Sequence, residues 1–508
     1  MRGKACFTPM DHSLRKVSCV TDWGLKALAG LNVMLCAYLV WQHGWEPKYV
    51  LPAFIGACSL LVLRLSISAR VSITLLMLST VGALLAANFV LGVRQTMDRQ
   101  FPRSHWKDVR SGARHIPVLA TAAQQLGRPF DLRSRLDVLQ DLREKGMDAW
   151  PSVSAPLLFA GSPAVYDTPI IVDKTGPLVP LGGISRATTV YCNESGTYIV
   201  FQNDEHGFSN PPGLWSTPGL QVAVVGDSFA HGACVDPSES FPGHLRRHFP
   251  GTLNLGNDAI GPLAELALVK EYLPALRPQV VVWAYFEQND FQDLAKERGS
   301  LLNNYLQANF TQHLISDQPR IDQALKAYVE TVLDAGAWFP TAKSAAVASR
   351  HLLTAPQELE RLLKFSYLWD FLSRWSSATT AQARATRQWR PRAAAGEEDR
   401  RAFRASLEEA LRTVQSWGGQ LVFVYLPEYD RYAIPSFVDP NRDFVLRTVG
   451  DLKIALVDMV EYFPKIEDTL SLFPFRQPAH YTPDGYRLVA ERILNHIRPL
   501  LSAPQASN

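Results

Sequence analysis

The segment from Val222 to Cys234, which reads VAVVGDSFAHGAC, constrains the fold of this chain more than any other. A run of apolar, strand-forming residues stops at Gly226-Asp227-Ser228, and a turn of small residues then leads into a helix. This pattern puts a serine hydroxyl at the carboxyl end of a buried strand, beside helix N-terminal amides that can stabilise an oxyanion. Because Asp and Ser also serve as plain helix caps, the triplet alone does not establish a catalytic site.

The rest of the second half of the chain alternates short apolar segments with amphipathic helices. Such a pattern predicts a parallel sheet covered by helices on both faces. Folds of this class place their sites at the carboxyl ends of strands, where Ser228 lies. The predicted strands are Gln221–Val225, Thr252–Leu255, Gln279–Phe286, Gln420–Leu426 and Ile454–Val457, and the clearest predicted helices are Leu263–Leu276 and Arg400–Trp417.

Three long apolar runs occupy the first hundred residues: Leu25–Trp41, Tyr49–Leu63 and Val71–Val93. Each is close to the roughly 20 helical residues needed to cross a hydrocarbon core. A cleaved signal peptide is the alternative for the first run, and a buried pair of core helices is the alternative for all of them. We expect three transmembrane helices, with the lipid bilayer as a partner of the protein.

Basic residues flanking these runs predict the orientation. The N-terminal tail and the loop between the second and third runs are the more basic flanks, so both are expected in the cytoplasm. After three crossings the large C-terminal part lies outside, in the periplasm if the membrane is the inner one. Basic residues that follow the third run argue the other way, but a long translocated domain tolerates them. The flanking basic residues are Arg2, Lys4, Arg15, Lys16, Lys26, Arg64 and Arg70, and those after the third run are Arg94, Arg99, Arg103 and Lys107.

The sequence divides into five predicted regions. They are a cytoplasmic tail with three transmembrane helices (1–94), an accessory α+β segment (95–219), the first part of the α/β domain (220–300), a helical insertion ending in a mobile loop (301–398), and the second part of the α/β domain (399–502). The net charge of +3 comes without a basic, aromatic-rich stripe, so nucleic acid is not expected as a partner. His, Cys and acidic residues do not cluster at ligand spacings, so neither a metal nor another cofactor is expected.

Three further blocks follow the serine segment in order. They read NLGNDAIGP (Asn254–Pro262), WAYFEQNDFQD (Trp283–Asp293) and HYTPDGYRLVAERI (His480–Ile493). Together with Gly226-Asp227-Ser228, they resemble the SGNH/GDSL hydrolase superfamily, and most of all its bacterial membrane-anchored members. The resemblance implies a flavodoxin-like, three-layer α/β/α domain that cleaves or transfers acyl esters.

The resemblance also implies a role for each matching residue. Ser228 would be the nucleophile and His480 its general base, since a serine hydroxyl needs a nearby base to take its proton. The side-chain amide of Asn289 would bind the oxyanion, together with the backbone amide of Ser228. A backbone amide of the second block, at Ala259 or Gly256, would complete the oxyanion hole. Asp227 would support the turn by accepting from its amides.

Two positions depart from the family pattern. Ala259 stands where the second block usually has glycine, so its backbone must suit a residue with a Cβ. Gln477 and Pro478 stand where the family usually has an aspartate that orients the histidine. The Gln477 carbonyl can accept from the imidazole but brings no charge. The sequence therefore predicts a Ser–His dyad, unless a distant carboxylate completes it.

The soluble part holds two cysteines, Cys192 and Cys234, which by composition alone are either a disulfide or two buried thiols. Both occur in segments that resemble those of the membrane-anchored relatives, and this resemblance implies a disulfide between them.

The expected function is that of a membrane-anchored serine esterase that acts on an acylated glycan or lipid of the cell envelope. Two alternatives stay open at this point. The acyl group could pass to a sugar hydroxyl, which would make the protein an O-acyltransferase, or the fold could serve as a glycan-binding scaffold without turnover.

Overall fold

The structure is a computed structural model. It describes residues 65–100, 116–153, 176–335, 352–371 and 392–502, with short pieces of 22–61 and the pairs 172–173 and 349–350. The chain forms two compact units. The first comprises Met1–Thr96 and Ala346–Ala385, and the second comprises Met97–Ala345 and Thr386–Asn508.

A five-stranded parallel sheet forms the centre of the second unit. Its strand order is β10-β9-β8-β6-β7, and all neighbours run in the same direction. When these five strands are numbered 1 to 5 along the chain, the order read from the β7 edge is 2-1-3-4-5, which is the flavodoxin-like order. In such sheets the site lies at the carboxyl ends of the strands on either side of the point where the strand order reverses, here β6 and β8. The strands of the chain are β1 (Ala149–Pro151), β2 (Val172–Asp173), β3 (Gly176–Pro177), β4 (Thr188–Val190), β5 (Val200–Gln202), β6 (Val222–Gly226), β7 (Thr252–Asn254), β8 (Val280–Phe286), β9 (Gln420–Leu426) and β10 (Ala455–Asp458).

Helices cover both faces of this sheet. Side chains alternate along a strand, so Val281, Trp283 and Tyr285 of β8 join a core with α6 and α10, while Val280 and Val282 join a second core with α5 and α13. The helices are α1 (Ile67–Gln100), α2 (Ile116–Gln125), α3 (Arg135–Glu144), α4 (Ser228–His231), α5 (Phe241–Arg246), α6 (Pro262–Tyr272), α7 (Asp290–Glu297), α8 (Gln318–Ala335), α9 (Pro356–Leu363), α10 (Glu397–Gln415), α11 (Asp430–Ala433), α12 (Arg442–Asp451) and α13 (Pro483–Ser502).

The predicted α/β fold with a parallel sheet is confirmed. Each predicted strand agrees with an observed one to within one residue at either end. The prediction succeeds because both faces of these strands are buried. All seven residues of β8 are buried, for example, and such a strand has to be apolar along its whole length.

A small sheet precedes the central one in the sequence. Strand β4 pairs in parallel with β1 and antiparallel with β5, so β4 and β5 form a hairpin. The loop of this hairpin runs from Tyr191 to Ile199. The Tyr191 N–H donates to the Ile199 carbonyl, and the Ile199 N–H donates to the Cys192 carbonyl, so the base of the loop is closed. This loop reaches the carboxyl ends of the central strands at Ser228 and His480.

The first unit contains α1, of which Val71–Val93 is long and apolar enough to cross a membrane. Only 6% of its most apolar stretch is buried, and its mean hydropathy is 2.0. Within the described residues this is the one helix of that kind, so the predicted three transmembrane helices are not established. The first predicted run is described only in pieces, and almost all of the second lies outside the described residues. The five predicted region boundaries stay predictions.

Candidate active site

The Gly226-Asp227-Ser228 turn joins β6 to α4 and presents Ser228 at the edge of the sheet. Gly226 has φ 151°, and a Cβ there would lie 2.6 Å from the carbonyl oxygen of Ala284 on β8. Only glycine fits so close to the neighbouring strand. Asp227 caps the short helix, because its Oδ1 accepts from the Phe229 N–H at 2.9 Å. Ser228 is the first residue of α4, so its N–H has no acceptor one turn earlier in the helix.

His480 lies directly beside this serine. Its Nε2 is 2.9 Å from Ser228 Oγ, across 252 positions of sequence. The ring packs against Phe229, with 4.8 Å between ring centroids, and Phe229 stacks in turn on Phe286 at the end of β8. The imidazole is therefore held in place by the stacked rings of Phe229 and Phe286, which lie at the ends of the same strands. The structure brings together the predicted nucleophile and the predicted base.

A carboxylate completes the arrangement, and it comes from Glu194 in the β4–β5 loop. Glu194 Oε2 accepts from both His480 Nδ1 and the backbone N–H of His480, each at 2.9 Å. This double contact fixes the ring tautomer, with Nδ1 protonated and Nε2 free to accept the serine proton. The sequence predicted a Ser–His dyad unless a distant carboxylate completes it, and Glu194 is such a carboxylate. Gln477 makes no hydrogen bond to His480 in the part of the chain that is described, and Glu194 occupies that role.

The charge of Glu194 sets the basicity of the histidine. Burial by itself lowers the pKa of His480, but the nearby Glu194 carboxylate and its hydrogen bond outweigh burial, so the pKa is raised above its ordinary value of 6.5. The imidazolium that forms during catalysis is stabilised in the same way. A raised pKa also means that part of the histidine is protonated, and unable to act as a base, at neutral pH.

A disulfide joins the segment that carries Glu194 to the segment that carries Ser228. Cys192 and Cys234 form this bond, 42 positions apart in sequence. Cys192 lies two residues before Glu194, and Cys234 lies six residues after Ser228. The predicted pair of cysteines is therefore brought together, and the bond fixes the β4–β5 loop beside Ser228.

Asn289 lies at the end of β8, where it forms the N-cap of α7. Its Nδ2 donates to Asp293 Oδ2 at 2.8 Å, which fixes the orientation of the amide. The same amide also lies beside the Asp227 carboxyl and favours its ionised form. Donation by Asn289 to an oxyanion stays a prediction.

The sequence predicts an oxyanion donor at Ala259 or Gly256, and the structure distinguishes these two backbone amides. The Gly256 N–H already donates to Asn254 Oδ1 at 2.9 Å, so the prediction that Gly256 contributes to the oxyanion hole is corrected. Gly256 has a packing role, because a Cβ there would lie 2.2 Å from the His231 backbone nitrogen of α4. The Ala259 N–H makes no hydrogen bond within the described residues. Ala259 has φ 51°, the left-handed conformation that glycine adopts without strain.

Asp227 is buried behind the serine, and burial raises its pKa to about 7. The Phe229 N–H and the positive charge of protonated His480 favour its ionised form and offset part of this shift. Asp227 accordingly supports the turn by accepting the Phe229 N–H, as the sequence predicts. It also lies close enough to His480 for the two charges to interact.

One potential metal-binding group exists in the described part of the chain. Ligand atoms of Glu194, Cys234 and His480 lie within 4.8 Å of one another. The Cys234 sulfur is bonded to Cys192 and is therefore not a thiolate. Both ring nitrogens of His480 already contact Glu194 and Ser228, so the residues present do not fit a metal centre.

No family model and no curated protein matches the chain. Several solved structures resemble it. TesA is 11% identical with a TM-score of 0.29, and the match covers 55% of this chain and 99% of TesA. A two-domain esterase (CEX) active on acetylated mannans is 10% identical with a TM-score of 0.29, over 58% of this chain and 54% of the esterase. LAE5, an α/β hydrolase enzyme from the metagenome of Lake Arreo, Spain, is 10% identical with a TM-score of 0.29, over 57% of this chain and all of LAE5. All three of these TM-scores are below 0.3, so these similarities carry no argument about function.

Proposed function

We propose that this chain is a serine ester hydrolase of the SGNH type. One observation carries the proposal: a continuous hydrogen-bonded series from Ser228 Oγ through His480 to the Glu194 carboxylate, with both links at 2.9 Å. This is the arrangement that activates a serine hydroxyl at neutral pH. The alternative of a scaffold without turnover depended on the missing acid before His480, and Glu194 removes that reason.

The reaction follows from the positions of these groups. Ser228 Oγ attacks the ester carbonyl carbon while its proton moves to His480 Nε2, and Glu194 stabilises the resulting imidazolium. The negative charge on the former carbonyl oxygen is met by donors of the Ser228 N–H, the Ala259 N–H and the Asn289 amide. His480 then gives its proton to the departing alcohol, which leaves an acyl group on Ser228. Water, deprotonated by His480, attacks this acyl group. The bond between Ser228 Oγ and the acyl carbon then breaks, His480 returns the proton to Oγ, and the carboxylic acid leaves.

For the natural substrate we propose an acyl ester on a glycan or lipid of the cell envelope. The apolar stretch Val71–Val93 supports an anchored enzyme of the inner membrane, with its catalytic domain on the periplasmic side. The Cys192–Cys234 disulfide supports the same location, because such bonds persist in oxidising compartments.

Hydrolysis of p-nitrophenyl acetate by the full chain tests the catalytic proposal. Wild-type protein should release p-nitrophenol with a burst equal to the concentration of active sites, and the Ser228→Ala and His480→Ala variants should show no burst. A fluorophosphonate probe should label wild-type protein and leave Ser228→Ala unlabelled. Equal rates in all three proteins, with no probe labelling, would rule out this site as a hydrolase.

A further inference from the structure

The last turns of α1 carry a face that is buried by residues of the helical insertion. Asn88 and Gly92 are one helical turn apart, and both are buried although only 6% of the most apolar stretch of the helix is buried. Asn88 Nδ2 donates to the Leu362 carbonyl at 2.7 Å, and Asn88 Oδ1 accepts from the Leu368 N–H at 3.0 Å. A Cβ on Gly92 would lie 3.0 Å from the ring of Tyr367, so glycine allows the aromatic side chain to pack against the helix.

These contacts fix the level of the insertion along α1. Asn88 lies five residues before the end of the apolar stretch at Val93, which corresponds to about 7.5 Å along a helix. Residues 362–368 therefore lie alongside the final turns of the stretch that is long enough to cross a bilayer. Any side chain that points outward from the insertion at this level faces the boundary between hydrocarbon and headgroups.

Five of the side chains that point outward here are large and apolar, and the exposed Glu360 among them is paired with Lys364. Leu359 and Leu363 lie one turn apart on the same face of α9, and Trp369 and Phe371 follow in the next helical residues. Together with Leu353, these side chains are between 38% and 59% exposed. A soluble surface rarely gathers so many in one short segment. Leucine on one helix face with Trp and Phe beside it is the composition of helices that lie in a membrane interface.

Charged and polar groups of the same segment are paired with one another. Arg361 donates to Asp370 at 2.9 Å and lies over the Tyr367 ring, and the Tyr367 hydroxyl donates to Glu358. Such pairing keeps charge off the apolar face and lets a helical segment approach hydrocarbon without exposing unpaired charge to it.

We propose that residues 352–371 form a second membrane contact, in which Leu353, Leu359, Leu363, Trp369 and Phe371 insert into the acyl-chain boundary of the bilayer next to α1. The inference rests on the proposed membrane anchoring by α1. The insertion leaves the catalytic domain after β8 and returns to it before β9, so the domain is tied to the membrane surface at a second point in its sequence.

Site-directed spin labelling of the full chain in lipid nanodiscs tests this proposal. Nitroxides are attached singly at Leu363→Cys and Trp369→Cys in protein whose Cys6, Cys19, Cys36 and Cys58 are serine, with the Cys192–Cys234 disulfide kept. Leu85→Cys, exposed within the apolar stretch of α1, is the lipid reference, and Glu408→Cys, exposed on α10, is the aqueous reference. Collision rates with oxygen and with a water-soluble nickel chelate report the surroundings of each label.

Labels at 363 and 369 should collide with the nickel chelate several-fold less often than the label at 408, and with oxygen more often, as the label at 85 does. If 363 and 369 behave like 408 while 85 behaves as buried in lipid, the second contact is wrong and the anchoring by α1 stands. If 85 also behaves like 408, both membrane proposals are wrong. Release of p-nitrophenol by each labelled protein shows that it is folded and tests the catalytic proposal separately.

Discussion

Glu194 decides how strong a base His480 is, because its carboxylate holds the pKa of the imidazole above 6.5. Catalysis needs the neutral ring, so in the wild type kcat/KM should fall as the pH drops through a pKa above 6.5. Glu194→Gln removes the charge and leaves burial, which lowers the pKa. The variant should therefore keep its remaining activity to lower pH while kcat at pH 8 falls by up to about 10⁴-fold.

A pH profile of p-nitrophenyl acetate hydrolysis from pH 5 to 9 checks both effects. Gln477→Ala is the matched control, because this residue precedes His480 in sequence but makes no hydrogen bond to its ring, and its profile should match the wild type. A Glu194→Gln profile with an unchanged acid limb would contradict the assignment of Glu194 as the acid.

The hydrogen bond between Asn289 and Asp293 gives a second prediction, which concerns the oxyanion and can be tested separately from Glu194. Asn289→Ala removes an oxyanion donor and should lower kcat by about 10²–10³ with little change in KM, because the donor acts mainly in the transition state. Asp293→Ala leaves the amide in place but unanchored, so its loss should be smaller. Steady-state kinetics of the double variant should equal those of Asn289→Ala alone, and additive losses would show that Asp293 acts by another route.

The sequence reveals the serine and the histidine but not their acid, and the reason is the fold. An aspartate just before the histidine would be visible in a local motif, whereas Glu194 is 286 positions away and meets His480 only when the β4–β5 loop folds over the site. A signal was present nonetheless. A disulfide between Cys192 and Cys234 requires Cys192 to lie near the nucleophile helix, and Glu194 follows two residues later. The hydrogen bond from the Gly256 N–H to Asn254 Oδ1 could not be predicted from the sequence, because it depends on the rotamer of Asn254.

The β4–β5 loop is held to α4 by the disulfide, and this connection gives a prediction for the element as a unit. Closing a loop of 42 positions stabilises a fold by about 4 kcal/mol in the chain-entropy model. The Cys192→Ala/Cys234→Ala variant should lose roughly that free energy of unfolding, and kcat should also fall because the loop no longer holds Glu194 against His480.

A double-mutant comparison separates the two effects. In protein without the disulfide, Glu194→Gln should cost much less activity than it does in the wild type, because the acid is already misplaced. Denaturant unfolding measures stability, and p-nitrophenyl acetate hydrolysis under non-denaturing conditions measures activity. If Glu194→Gln costs the same with and without the disulfide, the bond stabilises the fold without positioning the acid.

The strands and covering helices could be predicted closely because burial on both faces of a parallel sheet dictates apolar runs. The four-residue helix α4 and the hairpin β4–β5 are different. Each is too short to have a periodic pattern of its own, and each is defined by tertiary contacts: Gly226 against Ala284 in one case, Cys192 bonded to Cys234 in the other. The site depends on these two short elements, so its geometry could be predicted only in part.

Buried carboxyl groups behind the site tie the stability of the catalytic unit to pH. Burial raises the pKa of Asp227 and of Glu297 to about 7, and it raises the pKa values of Glu265 and Asp290 well above the ordinary range. Mutual repulsion among these groups adds to the shifts of Glu265 and Asp290. The folded protein therefore keeps protons that the unfolded chain releases near pH 4 to 4.5.

Because the folded state binds more protons, the free energy of unfolding should decrease as the pH rises from about 4.5 through 7 and beyond. The raised pKa of His480 acts with the same sign. The thermal midpoint of the full chain in detergent, followed by tryptophan fluorescence, should accordingly decrease as the pH is raised from 5 to 8, while hydrolysis rises over the same range as His480 loses its proton.

Glu265→Gln replaces one of these buried carboxyl groups by an amide that does not titrate. Its midpoint should be close to that of the wild type at pH 5 and higher at pH 8, where the wild type begins to place charge in the interior. Parallel midpoint curves for the two proteins would show that Glu265 ionises as readily in the folded state as in the unfolded chain.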